Sequence, residues 1–409
     1  MKRLFILPFV FLLTIASCQK NNELPDPEPI NLNAKALEII QADNQFGLDM
    51  FKLLTDTGFV ENNIMISPLS VSQALCMTYN GANGETKKAF EETLHFNNTT
   101  MEEVNQSALD LTKALLSVDP QVTLNIANSI WYKDNFTVEN DFIERNQTYY
   151  NAFVKPVDFN SSQTVNKINN WVDEKTNGKI EKIIDHLSPL DRLILINAIY
   201  FKGEWRNQFK KDKTETDQFH LETWGAVNVP MMHTTGDYPY FENEILDALE
   251  MPYGRGNFSM VVLLPKEGYR VNDILDTLNA EVWKSWEEQF FVSNDVPVVF
   301  PKFKFKYERS LVNVLSKLGL SVAFHDDADF TGINKNIDLH ISEVVHKTFV
   351  QVDEEGTEAA AVTSVTVGTT SVGPGMPFVA DHPFVFMIKE KYTHAILFIG
   401  VMANPEIGN

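Results

Sequence analysis

Residues 353–373 read DEEGTEAAAVTSVTVGTTSVG, and no other stretch limits the possible folds of this chain as strongly. It holds no proline, no aromatic residue and no aliphatic side chain larger than valine. Its halves pull in different directions. Glu358-Ala359-Ala360-Ala361 favours helix, whereas 362–367 favours strand. Gly356 permits a hinge at the start, and Pro374, Pro377 and Pro383 end regular pairing beyond it. As a strand starting at Thr357, one face carries Thr357, Ala359, Ala361, Thr363, Val365 and Val367, all small or β-branched and suited to a core. The other face carries Glu358, Ala360, Val362, Ser364 and Thr366, and so holds the strand's single charge, which can face water. Composition alone fits a surface linker equally well. The alternation adds a second possibility, a loop in one state and a central strand in another.

The surrounding chain reads as α+β. Phe46, Met50, Phe51 and Leu54 fall at helical spacing, and Pro68 is placed to open a helix through Met77. A helix over 163–175 carries Val165, Ile168, Trp171 and Val172 on one stripe, with Gly178 as its stop. Strand-like runs cover 122–132, 193–201, 259–264, 296–305, 384–388 and 396–401. Helices early and strands late, without regular alternation, imply large sheets covered by helices.

The N-terminus reads as a targeting segment. Lys2 and Arg3 precede an apolar run over 4–15, too short to span a bilayer comfortably. Ile15-Ala16-Ser17-Cys18 resembles a bacterial lipobox, in which Cys18 becomes the acylated N-terminus. Ordinary signal cleavage near Ser17 is the plainer alternative. The expected layout is a lipoprotein signal over 1–17, a proline-containing tether over 18–32 and one domain over 33–409. The expected location is outside the cytoplasm, lipid-anchored to a bacterial membrane, at the outer membrane or cell surface. Cys76 lies in the apolar run 74–77 and reads as a buried thiol.

Charge and motifs narrow the function. The formal charge is −21, and −23 once Lys2 and Arg3 are removed, with no compensating basic cluster. Nucleic acid and anionic lipid surfaces are therefore poor partners. The helix expected over 101–116 is acidic at Glu102, Glu103 and Asp110, unlike a polyanion-binding face. There is no phosphate loop, no Gly-x-Ser-x-Gly elbow and no HExxH. His325-Asp326-Asp327-Ala328-Asp329 lacks calcium-loop spacing. No catalytic residue, cofactor or metal is expected.

Glu354-Glu355-Gly356-Thr357-Glu358-Ala359-Ala360-Ala361 resembles the hinge of inhibitory serpins. Further segments along the domain resemble the same family: Asn63-Ile64-Met65-Ile66-Ser67-Pro68-Leu69-Ser70, Asn197-Ala198-Ile199-Tyr200-Phe201-Lys202-Gly203-Glu204-Trp205, Ala328-Asp329-Phe330-Thr331-Gly332 and His382-Pro383-Phe384. With the lipobox, the chain is similar to lipoprotein serpins of Bacteroidetes-type bacteria. The resemblance implies helices packed on three β-sheets with an exposed reactive-centre loop near the C-terminus. It implies a monomer without catalysis of its own. A serine protease attacks the loop, is held as a covalent acyl-enzyme, and is trapped when the cleaved loop enters the main sheet. The hinge would comprise Glu354, Gly356, Thr357, Glu358, Ala359, Ala360 and Ala361. Ser67, Asn197, Trp205, Lys302 and His346 match residues that support the sheet opening, with Lys302 paired to Glu354.

Family spacing from Glu354 places the reactive bond at Thr370–Ser371, whereas counting back from Pro383 gives Val372–Gly373. Val367–Gly368 is a further alternative. No lysine or arginine lies between Glu355 and Lys389, so a trypsin-like acidic pocket finds no partner charge. Small apolar residues suit elastase-like or subtilisin-like serine proteases, and papain-like cysteine proteases fit less well. The alternative reading is a non-inhibitory serpin that serves as a surface binding protein or a protease substrate.

Overall fold

The computed structural model of the 409-residue chain describes residues 25–56, 62–188, 191–223, 225–357 and 376–406. Several early helices open on a side-chain cap. The Asn33 side chain accepts from Ala36 N at the start of Ala34–Thr55, which buries Ile39, Ile40, Phe46, Met50, Phe51 and Leu54. Ser67 caps Pro68–Tyr79, with proline in the first turn, where its missing N–H costs nothing. Thr100 and Glu103 form a capping box on Met101–Ser117. Ser162–Lys175 ends as expected, with Asn177 and Gly178 in left-handed backbone and Gly178 N bonded to Asp173 O at 2.8 Å.

Six strands form one sheet in the spatial order Phe303–Ser310, Val345–Val352, Gly356–Thr357, Leu193–Glu204, Val122–Lys133 and Phe153–Val157. Helix Ser162–Lys175 lies across one face over Trp131, Ile196 and Ala198. The other face packs Phe201, Phe303, Phe305, Val350 and Val352 into a core shared with the second sheet. That second sheet has nine strands, including the wholly buried Phe258–Pro265, Phe384–Glu390 and Ile396–Met402.

Where three sheets are expected, hydrogen bonding joins the described strands into two. The reason is Ala226–Glu242, a strand of 17 residues. Its N-terminal part pairs with Glu215–His220, and its far end, Tyr240–Glu242, pairs with Leu246–Tyr253. One long strand thus carries two sheet regions into a single ladder. The run expected as one strand over 296–305 divides into Phe291–Pro301 and Phe303–Ser310, which belong to different sheets. Lys302 N still bonds Pro230 O at 2.9 Å, the rung after Met231↔Pro301, and from Phe303 onward the chain pairs with Val345–Val352 instead.

Residues 25–32, expected within the tether, run along the body. Asn257 pairs with both backbone groups of Glu28, at 2.9 and 2.7 Å, and Arg255 meets the Glu28 carboxylate at 2.6 Å. Cys76 is buried, and burial pushes its thiol well above the ordinary range. Among the described residues no helix is long and apolar enough to cross a membrane. The signal segment and Cys18 lie outside them.

Candidate functional site

The six-stranded sheet is divided at its centre. Val345–Val352 pairs with the two-residue strand Gly356–Thr357 at Val352↔Thr357 only. Gly356–Thr357 pairs in turn with Gly203 and Glu204. Both pairings are antiparallel, so the flanking strands run parallel to each other. Among the described residues, Gly356–Thr357 is the only strand that joins them in the ladder. Glycine is required at 356 by close approach. A Cβ there would lie 2.1 Å from Gly203 O and 2.7 Å from Glu204 Cα.

A tight turn presents this short strand. Asp353 N donates to Gly356 O at 2.9 Å, and Glu355 N donates to Asp353 Oδ1 at 3.0 Å. Trp205 grips the turn twice, through its backbone N to Glu355 O at 2.8 Å and its indole Nε1 to Asp353 O at 2.9 Å. Lys302, placed where the chain passes between sheets, reaches Glu354 Oε2 at 2.8 Å. Thr214 donates to the other Glu354 oxygen at 2.7 Å. Burial alone would raise the Glu354 carboxyl, but the bonds from Lys302 and Thr214 outweigh it and hold it below the usual range. Lys211 pairs with Glu355 at the exposed rim.

A second polar cluster lies deeper, under the strands that part. Ser67 N donates to His346 Nε2 at 3.0 Å, while Ser67 Oγ caps the helix by accepting from Ser70 N at 3.2 Å. Ser70 Oγ donates to Asn197 Oδ1. Asn197 Nδ2 donates to Asn128 Oδ1 at 2.6 Å, on the neighbouring strand in register with it, and to Gln73 Oε1 at 3.4 Å. Thr348 Oγ1 reaches Met65 O at 2.7 Å. Ser67, His346 and Asn197 are therefore brought into one network, with Asn197 linked to Ser67 through Ser70. Burial lowers His346 to about 4, so the imidazole is neutral and can accept the Ser67 N–H.

Sequence reasoning missed Gln73, Asn128 and Thr348. Gln73 was within reach, because it lies three residues after Ser70 on one helix face. Asn128 needed the strand register. Glu358, Ala359, Ala360, Ala361, Val367, Gly368, Thr370, Ser371, Val372 and Gly373 lie outside the described residues. Beyond them Met376 is 73% exposed, and Phe378–Val379 pairs in parallel with Val298 and Val299. The last described residue before this gap, Thr357, lies in the six-stranded sheet, and the first described strand after it, Phe378–Val379, lies in the nine-stranded one. Among the described residues, the two parallel strands are joined only through this short antiparallel rung.

A family model described as Serpin (serine protease inhibitor) matches residues 41–405. An uncharacterized serpin-like protein of Thermococcus kodakarensis is 35% identical over 443 residues, covering 100% of each chain. Leukocyte elastase inhibitor A of Rattus norvegicus is 34% identical, covering 90% of this chain and 100% of that protein. The structure of human thyroxine-binding globulin superposes with a TM-score of 0.83 at 30% identity, covering 91% of this chain and 100% of that one. The family model spans most of the chain and the overall fold is shared with solved serpin structures, so the chain belongs to the serpin family.

Proposed function

We propose that this chain is a suicide-substrate inhibitor of elastase-like or subtilisin-like serine proteases, acting by insertion of its loop into the six-stranded sheet. The observation that carries the reading is the seating of Gly356–Thr357 between two strands that run parallel to each other. Continuing the pairing from Thr357↔Gly203 by one residue per rung sets Ala359 opposite Phe201, Ala361 opposite Ile199, Thr363 opposite Asn197 and Val367 opposite Leu193. The residues of that face are all small or β-branched, and Phe201 and Ile199 lie in the core they would cover. Each new rung adds a ladder bond of about 1 kcal/mol net, and the ten further residues span about 33 Å.

The protease serine Oγ attacks the carbonyl carbon of Thr370–Ser371, or of Val367–Gly368 or Val372–Gly373; the C–N bond breaks, the amine leaves as a new N-terminus carrying the serine's proton, and the loop's acyl group stays esterified to the serine. Insertion then carries the acyl-enzyme along the sheet before water completes hydrolysis. Glu354, Gly356 and Thr357 act as the hinge, with Glu358, Ala359, Ala360 and Ala361 following them in. Lys302 and Trp205 hold the entry, and Ser67, Asn197 and His346 sit where the strands must part. Cys18 acylation would anchor the inhibitor to a bacterial membrane, where it guards the surface. The relative named as an elastase inhibitor agrees with the small-residue loop.

The likeness to thyroxine-binding globulin supports a second reading, a non-inhibitory binding protein. Incubation with neutrophil elastase and with subtilisin, followed by a denaturing gel, separates the two. The proposal expects a covalent complex that survives denaturation. Complete loop cleavage without complex by both proteases would overturn it.

A further inference from the structure

Tyr253 has no place in any motif of the hinge, yet it faces the hinge from a strand of the other sheet. Its side chain is 0% exposed, and its hydroxyl meets Thr357 Oγ1 at 2.5 Å. The ring stacks on Trp205 with centroids 4.4 Å apart and planes 13° from parallel. It also stands edge-on to Phe201 at 5.2 Å. Backbone bonds lock the pair together, Gly254 N to Glu204 O and Arg206 N to Pro252 O, both at 2.8 Å. A Cβ at Gly203 would come within 2.9 Å of the Tyr253 ring, so the ring and the Gly203 backbone together form the floor under Thr357. Trp205 holds residues 353 and 355, and Tyr253 holds 357.

We propose that Tyr253 is a positioning residue that seats Thr357 as the first rung of the inserting strand and does so by recognising its hydroxyl. The inference deepens the insertion reading and rests on it. The physical argument is pairing in a buried place. If residue 357 stays seated without its hydroxyl, the Tyr253 hydroxyl loses its partner in a place closed to water. A buried hydroxyl left unpaired costs more than a bond removed from both sides at once. The site therefore accepts threonine or serine at 357 and rejects valine, which has the same shape but no hydroxyl.

Two isosteric changes isolate the contact. Tyr253→Phe and Thr357→Val each remove one hydroxyl, the double variant removes both, and Thr357→Ser keeps the pair. Hydrogen exchange of the peptide carrying 353–357, measured on the full chain, reports how often the rung lifts. Each single change should raise exchange about fivefold, from about 1 kcal/mol for one buried bond. The double variant should exchange no faster than the single ones, and Thr357→Ser should match the parent. Unchanged exchange in Tyr253→Phe, or factors that multiply in the double variant, would overturn the assignment. Elastase capture by the same proteins separates the two levels. If the parent captures no protease but the cycle is non-multiplicative, the inhibitory reading fails and Tyr253 still seats the rung. If the parent captures protease and the factors multiply, the role of Tyr253 fails alone.

Discussion

Replacing Gly356 with alanine adds one methyl group at the narrowest point of the hinge. That Cβ would stand 2.1 Å from Gly203 O, 2.7 Å from Glu204 Cα and 3.0 Å from Gly203 C. All three neighbours are backbone atoms, so no side chain can swing aside. The two strands must separate by roughly 1 Å to restore ordinary contact, and overpacking of this kind costs about 1–3 kcal/mol. Gly356 is not in left-handed backbone, so contact and not dihedral strain is the cause. The cost falls on the seated rung and on any strand extended from it. It does not fall on the free loop, where alanine is tolerated or mildly preferred. Seating should therefore weaken roughly five- to hundredfold. The assay is titration of a fixed amount of elastase, read as moles of inhibitor consumed per mole of enzyme silenced. Gly356→Ala should consume several times more than the parent, with the excess recovered as cleaved chain. An unchanged stoichiometry would refute the steric argument.

Three further outcomes follow from the same geometry. Thr357→Arg places a charge in a buried position beside Tyr253 and should convert inhibition to simple loop cleavage, seen as loss of the gel-stable complex. Lys302→Ala leaves the Glu354 carboxylate with Thr214 as its remaining side-chain partner and should lower the unfolding midpoint by the equivalent of about 1–3 kcal/mol. Glu354→Gln should cost less, because it leaves no buried charge. His346 titrates at about 4 when folded against 6.5 when free. Above the free value both states are neutral. As pH falls from 6.5 toward 4, the unfolded chain gains a proton that the folded chain refuses, so stability drops by up to about 3 kcal/mol. Urea unfolding across that range should show the slope, and His346→Gln should flatten it.

Much of this was legible in the residues, and what was not has a common cause. Runs such as Phe258–Pro265 and Ile396–Met402 are buried along their whole length, so an unbroken apolar string marks them. The helix start at Pro68 was legible because proline in a first turn is a local signal. The break at Lys302 was not, since the apolar run continues through it while its ladder partners change sheet. At the hinge, the alternation after Thr357 is a local pattern and could be read directly. The need for glycine at 356 comes from Gly203, and the hydroxyl at Thr357 answers Tyr253, a residue 104 positions away. Asn128 meets Asn197 only because two strands pair in one register. Contacts of this kind depend on the assembled sheet and leave no mark on neighbouring residues.

The central claim is that the loop becomes a strand once cut, and it can be measured without any trapped protease. Thermolysin uses a zinc-bound water and forms no acyl-enzyme, so it can nick the chain between residues 358 and 375 and depart. Guanidinium unfolding of the intact and nicked proteins, followed by Trp fluorescence, then compares their stabilities. Insertion predicts that the nicked chain unfolds at a clearly higher midpoint than the intact one, because the edges of 193–204 and 345–352 have gained a partner. A midpoint equal to or below that of the intact chain would contradict it.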